Sequence, residues 1–252
     1  MTSIMVNKLL KKVAILFLWV AVWQLSSMIV AHELLIPSPL STIKALLGLA
    51  ETKGFYIAVG ISLVRIICGF ALGVIAGFFC GIFSAKSRLF KEISAPVVQL
   101  IKAVPVASFI ILAFFWFKST TLPVFISFLM VLPIIWSSTE TAILGVDEKY
   151  IEMGKVFGLT PTKIFLKIKL PLILPPLLSA TLTSLGFAWK SGIAAEVIAK
   201  PLNSIGGLLE TSKTQLNIAE VFAVTAIVAI LSLLLEVTLK KLLGRYSYVK
   251  DR

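Results

Sequence analysis

The chain reads as an all-α polytopic membrane protein with six transmembrane helices and both termini in the cytoplasm. Three observations predict this. Of 252 residues, 58% are hydrophobic and 14% charged, and the mean hydropathy is +1.01. Soluble domains carry roughly 45–50% apolar and about 25% charged residues. Six runs, 13–31, 66–85, 103–117, 119–139, 170–189 and 221–235, contain no Asp, Glu, Lys, Arg or His. The basic residues also fall mostly on one side of those runs. So little polar surface cannot coat a water-soluble body, which excludes an ordinary cytosolic enzyme, a disordered tail and a secreted disulfide scaffold. Cys68 and Cys80 share one apolar run. One helix holds them too far apart to bridge, so they read as small reduced packing residues.

A spanning helix needs about 20 mostly apolar residues. With apolar flanks added to the short runs, helices are expected near 12–31, 61–84, 98–117, 120–143, 171–198 and 219–242. Lys8, Lys11 and Lys12 precede the first helix as in a signal peptide. Its uncharged run is too long for such a segment and shows no small-x-small cleavage site, so it reads as a retained helix. Residues 37–54 begin Pro37-Ser38-Pro39 and place Leu40, Ile43, Leu46, Leu47 and Ala50 at helical spacing. That pattern predicts a short amphipathic helix on the outer interface. The second span carries Gly69, Gly73, Gly77 and Gly81 on one face, which lets a neighbouring backbone approach closely. Packing within the subunit is preferred here over a subunit interface, because five other helices are available. Residues 199–218 hold Pro201, Asn203 and Gly206-Gly207, the chemistry of turns.

Lys and Arg set the orientation. With the N-terminus inside, 16 are cytoplasmic: Lys8, Lys11, Lys12, Lys86, Arg88, Lys91, Lys149, Lys155, Lys163, Lys167, Lys169, Lys240, Lys241, Arg245, Lys250 and Arg252. Five are external (Lys44, Lys53, Lys118, Lys200, Lys213), and Arg65, Lys102 and Lys190 fall within spans. This bias places both termini in the cytoplasm. It also accounts for the net charge of +12 without a nucleic-acid partner.

The loop DEKYIEMGKVFGLTPTKIFLKIKLP, Asp147 to Pro171, carries the most information. Asp147 suits an N-cap and Gly158 a C′ position. Thr160-Pro161 restarts the chain as N-cap and first helical residue. Two short helices with a sharp corner are expected, the second over 161–169 with Ile164, Phe165 and Ile168 on one face and Lys163 and Lys167 towards the other. Apolar residues among basic ones suit insertion into a groove on another protein; a loop lying on lipid headgroups is the plainer alternative.

This loop resembles the EAA loop of permease subunits of ATP-binding-cassette importers. Glu152 is followed by Met153 and Gly154, then by Gly158, Ile168, Leu170 and Pro171 at that motif's spacings, with Met153-Gly154 in place of two alanines. LIPSPLSTIKAL at 35–46, SLVRIICGFALG at 62–73, AVPVASF at 103–109 and GFAWKSGIAAE at 186–196 are similar to the nitrate/sulfonate/taurine branch. The resemblance covers roughly residues 35–245. It implies a type I ABC importer-like permease fold in a bacterial-type inner (plasma) membrane. The chain would be one permease domain over 1–252: an N-terminal helix and external amphipathic helix within residues 1–54, then a core 55–245 bearing the coupling loop 145–171.

The resemblance further implies two ATPase subunits docked on the elbows, an external substrate-binding protein, and a second permease copy across a two-fold axis. The solute path would run between the copies. ATP and magnesium would belong to the ATPase, with no cofactor in this chain. Glu152, Gly154, Gly158 and Pro171 carry over by motif position as coupling residues; Thr160 and Phe165 join them from capping and amphipathicity. The helix over 171–198 would line the path, with Ser184, Trp189, Lys190 and Glu196 as candidates. A small anionic solute is expected.

Ionisable groups inside a bilayer cost at least ~2.5–3.5 kcal/mol on insertion scales. Arg65 and Glu236 read as helix-end residues that snorkel, Lys102 as an inner-leaflet residue, and Glu140 as lying near the cytoplasmic end of its helix. Lys190 and Glu196 stand roughly 120° apart around their helix and cannot pair well with each other. Lys190 faces either the path or a carboxylate such as Glu140.

The chain has no phosphate-binding loop: Gly154-Lys155 is its one Gly-Lys pair, and Lys149 stands where such a loop needs glycine. His32 is the single histidine, so neither a zinc site nor a Ser-His-Asp set is expected. The permease subunit is thus read as non-catalytic. Two rivals stand beside it. An ion-coupled secondary transporter would use membrane carboxylates and often inverted repeats. A membrane scaffold would move nothing.

Overall fold

The structure, a computed structural model, describes residues 2–244, with side chains from residue 10 onward except 12 and 16. Arg245, Lys250 and Arg252 of the basic tail, and the side chains of Lys8 and Lys12, lie outside the described residues. Regular structure among the described residues is entirely helical: α1 (Thr2–Val30), α2 (Pro39–Ala50), α3 (Lys53–Lys86), α4 (Arg88–Ala103), α5 (Val106–Ala113), α6 (Leu122–Leu144), α7 (Glu148–Val156), α8 (Pro161–Ile164), a π-helical turn (Phe165–Lys169), α9 (Leu170–Ala199), α10 (Ile205–Thr214) and α11 (Ile218–Gly244). Five segments are long and apolar enough to cross a membrane, and the bent pair α4–α5 makes six if counted as one broken span.

Four departures from the sequence reading have local causes. The continuous helix expected over 98–117 is instead α4 and α5, bent by 104°. Pro105 has no N–H and pushes the residue before it out of the helical region; Val104 is extended, at φ −80°, ψ 133°. The helix expected from residue 61 starts at Lys53, because nothing in 53–60 interrupts it. The short helix expected over 161–169 does not stop: Pro161 to Ala199 is one helical run. The π turn accommodates Pro171, whose ring would otherwise meet the preceding turn; the Leu170 N–H reaches back to the Phe165 carbonyl. Finally, Gly206 and Gly207 lie in the first turn of α10 rather than in a connecting loop. Ser204 caps α10 by accepting from the Gly207 N–H at 2.9 Å.

The core forms where α3, α6 and α9 meet, around Ile66, Val131, Ile135, Ala188, Trp189 and Ile193, with Ile205 of α10 and Val224 of α11 added. The four-residue glycine spacing of α3 lies against α6. A Cβ at Gly69 would stand 2.3 Å from the Val124 carbonyl oxygen, at Gly73 2.7 Å from Val131 Cβ, at Gly77 2.8 Å from the Leu132 oxygen, and at Gly81 2.5 Å from Thr139 Cβ. Cys68 and Cys80 are free, Cys68 exposed and Cys80 half-buried, so Cys68 is not the enclosed packing residue expected.

Towards the N-terminus, Ser38 caps α2 by accepting from the Ser41 N–H at 3.1 Å. Leu40, Ile43 and Leu47 of its apolar face are exposed, as suits a helix resting on a lipid interface. Trp23 of α1 donates to the Pro37 carbonyl at 3.0 Å, and Ser27 to that of Ile36 at 3.0 Å.

Candidate functional site

The elbow is built by capping. Asp147 accepts from the Lys149 N–H at 2.9 Å to start α7. Gly158 sits at φ +68°, which reverses the chain where an L side chain would be strained. Thr160 accepts from the Lys163 N–H at 3.4 Å, and Pro161 is the first residue of α8. The two arms then close on each other. A Cβ on Gly154 would lie 2.8 Å from Ile168 Cδ1 and 3.1 Å from Ile164 Cγ1. Glycine at this motif position therefore sets the distance between α7 and the helix that continues as α9.

This packing divides the apolar residues of the elbow. Ile164 is buried and Ile168 half-buried beneath α7, so neither offers an outward surface as their shared helix face suggested. The outward apolar residues are Val156 (85% exposed), Phe157 (75%), Leu166 (54%), Tyr150 and Met153 (48% each) and Phe165 (45%). Lys149, Lys155, Lys163 and Lys167, together with Glu152, are exposed around them. Sequence reasoning missed Val156 and Phe157. The signal was available, since the residues just before a C′ glycine stand at the corner's tip.

Of the four path candidates on α9, three are enclosed by this chain. Ser184 donates to the Thr181 carbonyl at 3.0 Å, and Trp189 Nε1 to the Val228 carbonyl at 3.0 Å. Glu196 is wholly buried in a polar node: it accepts from Ser62 at 2.7 Å, from the Gly206 N–H at 3.2 Å and from Arg65 at 3.5 Å. Arg65 also donates to the Leu202 carbonyl at 3.4 Å. The early start of α3 places Arg65 well inside that helix, so it pairs there rather than snorkelling from a helix end. Gly206 is required at the node, because a Cβ there would fall 2.4 Å from Glu196 Cβ.

Lys190 is the exception. It is exposed and lines a concavity of about 430 Å³ with Ser179, Thr183, Gly186, Glu236 and Lys240. Glu236 pairs with Lys240. Glu140 does not pair with Lys190, because Lys91 of α4 at 2.7 Å and Ser84 of α3 at 2.7 Å hold it. Lys102 donates to Ser137 at 2.7 Å nearby. Among the described residues, no carboxylate forms an ion pair with Lys190.

Comparison with known proteins gives concordant results. The family model described as "Binding-protein-dependent transport system inner membrane component" matches residues 69–246. The taurine transport system permease protein TauC of Escherichia coli (strain K12) is 26% identical over 89% of this chain and 84% of its own length. The putative aliphatic sulfonates transport permease protein SsuC of the same organism is 29% identical over 92% and 90%. Among solved structures, an inward-facing form of the MetNI methionine ABC transporter superposes with a TM-score of 0.62 at 17% identity, over 75% of this chain and 94% of that one. An amino acid ABC transporter solved with histidines gives 0.58 at 16%, over 73% and 88%.

Proposed function

Because the chain belongs to the family of binding-protein-dependent transport system inner membrane components, we propose that it is the permease subunit of an ATP-driven importer. In this reading it spans the bilayer six times with both termini in the cytoplasm. It pairs with a second copy, takes an ATPase subunit on each elbow, and receives solute from an external binding protein. The observation that carries the reading is the elbow. Val156 and Phe157 are exposed at its corner and Phe165 and Leu166 on the turn that follows α8, on a segment that also exposes four lysines. Exposed apolar side chains on a water-facing corner are costly unless a partner covers them.

The solute is proposed to be a small anion, as the taurine and sulfonate transport named for the relatives suggests. Lys190 would supply one cation per subunit to the path between two copies. Ser184, Trp189 and Glu196 would act from behind, by holding the helix that presents it. ATP binding would close the ATPase pair and bring the elbows together, switching the path from inward-facing to outward-facing.

The test is co-expression with the candidate ATPase subunit, comparing wild type with Phe157→Glu. Wild type is expected to co-purify with the ATPase and support ATP hydrolysis; the variant is expected to fold but lose the ATPase. A wild-type chain that binds no ATPase, with uptake independent of one, would replace this reading with the secondary transporter.

A further inference from the structure

The two halves of α9 are built differently. From Ser184 to Ala199 most of the helix is enclosed: Ser184, Leu185, Ala188, Trp189, Ser191, Gly192, Ile193, Ala195, Glu196 and Ala199 are buried, and only Phe187, Lys190 and Ile198 are exposed. A Cβ on Gly192 would lie 2.6 Å from Ile66 Cγ1 and 2.6 Å from Ser127 Oγ. Ser127 donates to the Ala188 carbonyl at 3.1 Å, and the Glu196 node adds α10. This half has no room to tilt against α3 and α6 without breaking buried polar contacts.

The half next to the elbow has the opposite character. From Leu170 to Thr183, Ile173 is the one buried residue. Its backbone ladder is depleted as well. Pro171, Pro175 and Pro176 have no N–H to return to the carbonyls of Lys167, Pro171 and Leu172. The π turn Phe165–Lys169 immediately precedes them. Further along, Thr181 and Thr183 bond back to the carbonyls of Leu177 (2.8 Å) and Ser179 (3.1 Å), a pattern that bends helices. Among the described residues, one side-chain hydrogen bond reaches this half from another membrane helix, Ser138 to the Pro176 carbonyl at 3.4 Å. The elbow, by contrast, is clamped to the start of the run through Gly154, Ile164 and Ile168.

We infer that α9 is a two-armed lever: it flexes between Leu170 and Pro176 while its outer half, with Lys190, stays fixed to α3 and α6. The inference rests on the reading of the elbow as the ATPase contact. Elbow and π turn move together as the driven arm, and the proline segment is the joint. Fifteen residues separate Pro161 from Pro176, about 22 Å of helix, so a bend of about 10° moves the elbow about 4 Å. Solute would then be released by opening the path at the elbow end, while the Lys190 end keeps its place against α3 and α6 and changes access only as the two copies move relative to each other.

Hydrogen exchange read by mass spectrometry tests this in two steps. In the permease alone, in lipid nanodiscs, amides of 172–183 are expected to exchange at least tenfold faster than those of 185–199; equal rates overturn the joint whatever the elbow binds. In the complex with its ATPase, trapping with ATP, magnesium and vanadate is expected to change exchange in 165–183 and leave 185–199 unchanged. Pro175→Ala/Pro176→Ala restores two backbone bonds. It is expected to keep the ATPase bound and to reduce the nucleotide-dependent change at least twofold. A change of equal size in both halves, or a variant indistinguishable from wild type, refutes the lever. Failure of any ATPase to co-purify refutes instead the reading of the elbow, and is recognised separately because the first step needs no partner.

Discussion

Replacing Gly69 by Ala should destabilise the protein, although alanine is the better helix former. The new Cβ would stand 2.3 Å from the Val124 carbonyl oxygen and 2.8 Å from Ser127 Cβ. Non-bonded heavy atoms sit comfortably at about 3.5–4.0 Å, so α3 and α6 would have to separate by about 1 Å. A backbone carbonyl cannot rotate away as a side chain could. Overpacking of this kind costs about 1–3 kcal/mol, offset by about 0.5–1 kcal/mol for exchanging glycine in a helix. The net loss centres on about 1 kcal/mol within an outer range of about 0–2.5 kcal/mol. At about 2–4 °C per kcal/mol for a chain of this size, the central expectation is a fall in Tm of about 2–5 °C. The assay is thermal unfolding of the detergent-solubilised protein, followed by tryptophan fluorescence. Gly60→Ala on the same helix is the control, because its Cβ meets nothing within 4 Å and Tm should hold or rise. If Gly69→Ala is as stable as Gly60→Ala, the close approach of α3 to α6 is wrong.

Three further outcomes are expected. Glu196→Ala leaves Arg65 and Ser62 without their buried partner and should cost about 3–5 kcal/mol; adding Arg65→Ala should recover some of that loss, measured as a double-mutant cycle in Tm. Gly158→Val forces a β-branched residue to φ +68° and should weaken ATPase co-purification, whereas Gly158→Asn, which tolerates that conformation better, should retain it. Glu210 on α10 is held below the ordinary carboxylate range, chiefly by its hydrogen bond from Lys200 and then by Lys213, against opposing desolvation. A depressed folded pKa stabilises above the unfolded value near ~4.3 and ceases to do so as pH falls through the folded one. The Tm difference between wild type and Glu210→Gln should therefore be constant from about pH 8 to 5.5 and shrink only below about pH 4.

Hydropathy, glycine spacing and capping chemistry are local properties, and each was legible without coordinates. Five of the six apolar runs mark long helices, the exception being 103–117; Asp147, Gly158 and Thr160-Pro161 mark the corner of the elbow; Ser38-Pro39 marks the start of α2. Each depends on a residue's own backbone preference or on a repeat along one helix. The motif spacing from Glu152 to Pro171 was enough to suggest the family. What tertiary structure decided was which way side chains point and what they meet. Ser184, Trp189, Lys190 and Glu196 share one helix, yet only Lys190 escapes the packing of α3, α6 and α11, and a single sequence does not say which face a neighbour covers. Arg65 and Glu196 are 131 positions apart, so no local pattern could pair them. Gly206 likewise looked like turn chemistry, because its purpose, a backbone N–H brought against a buried carboxylate, exists only once α10 has folded back onto α9.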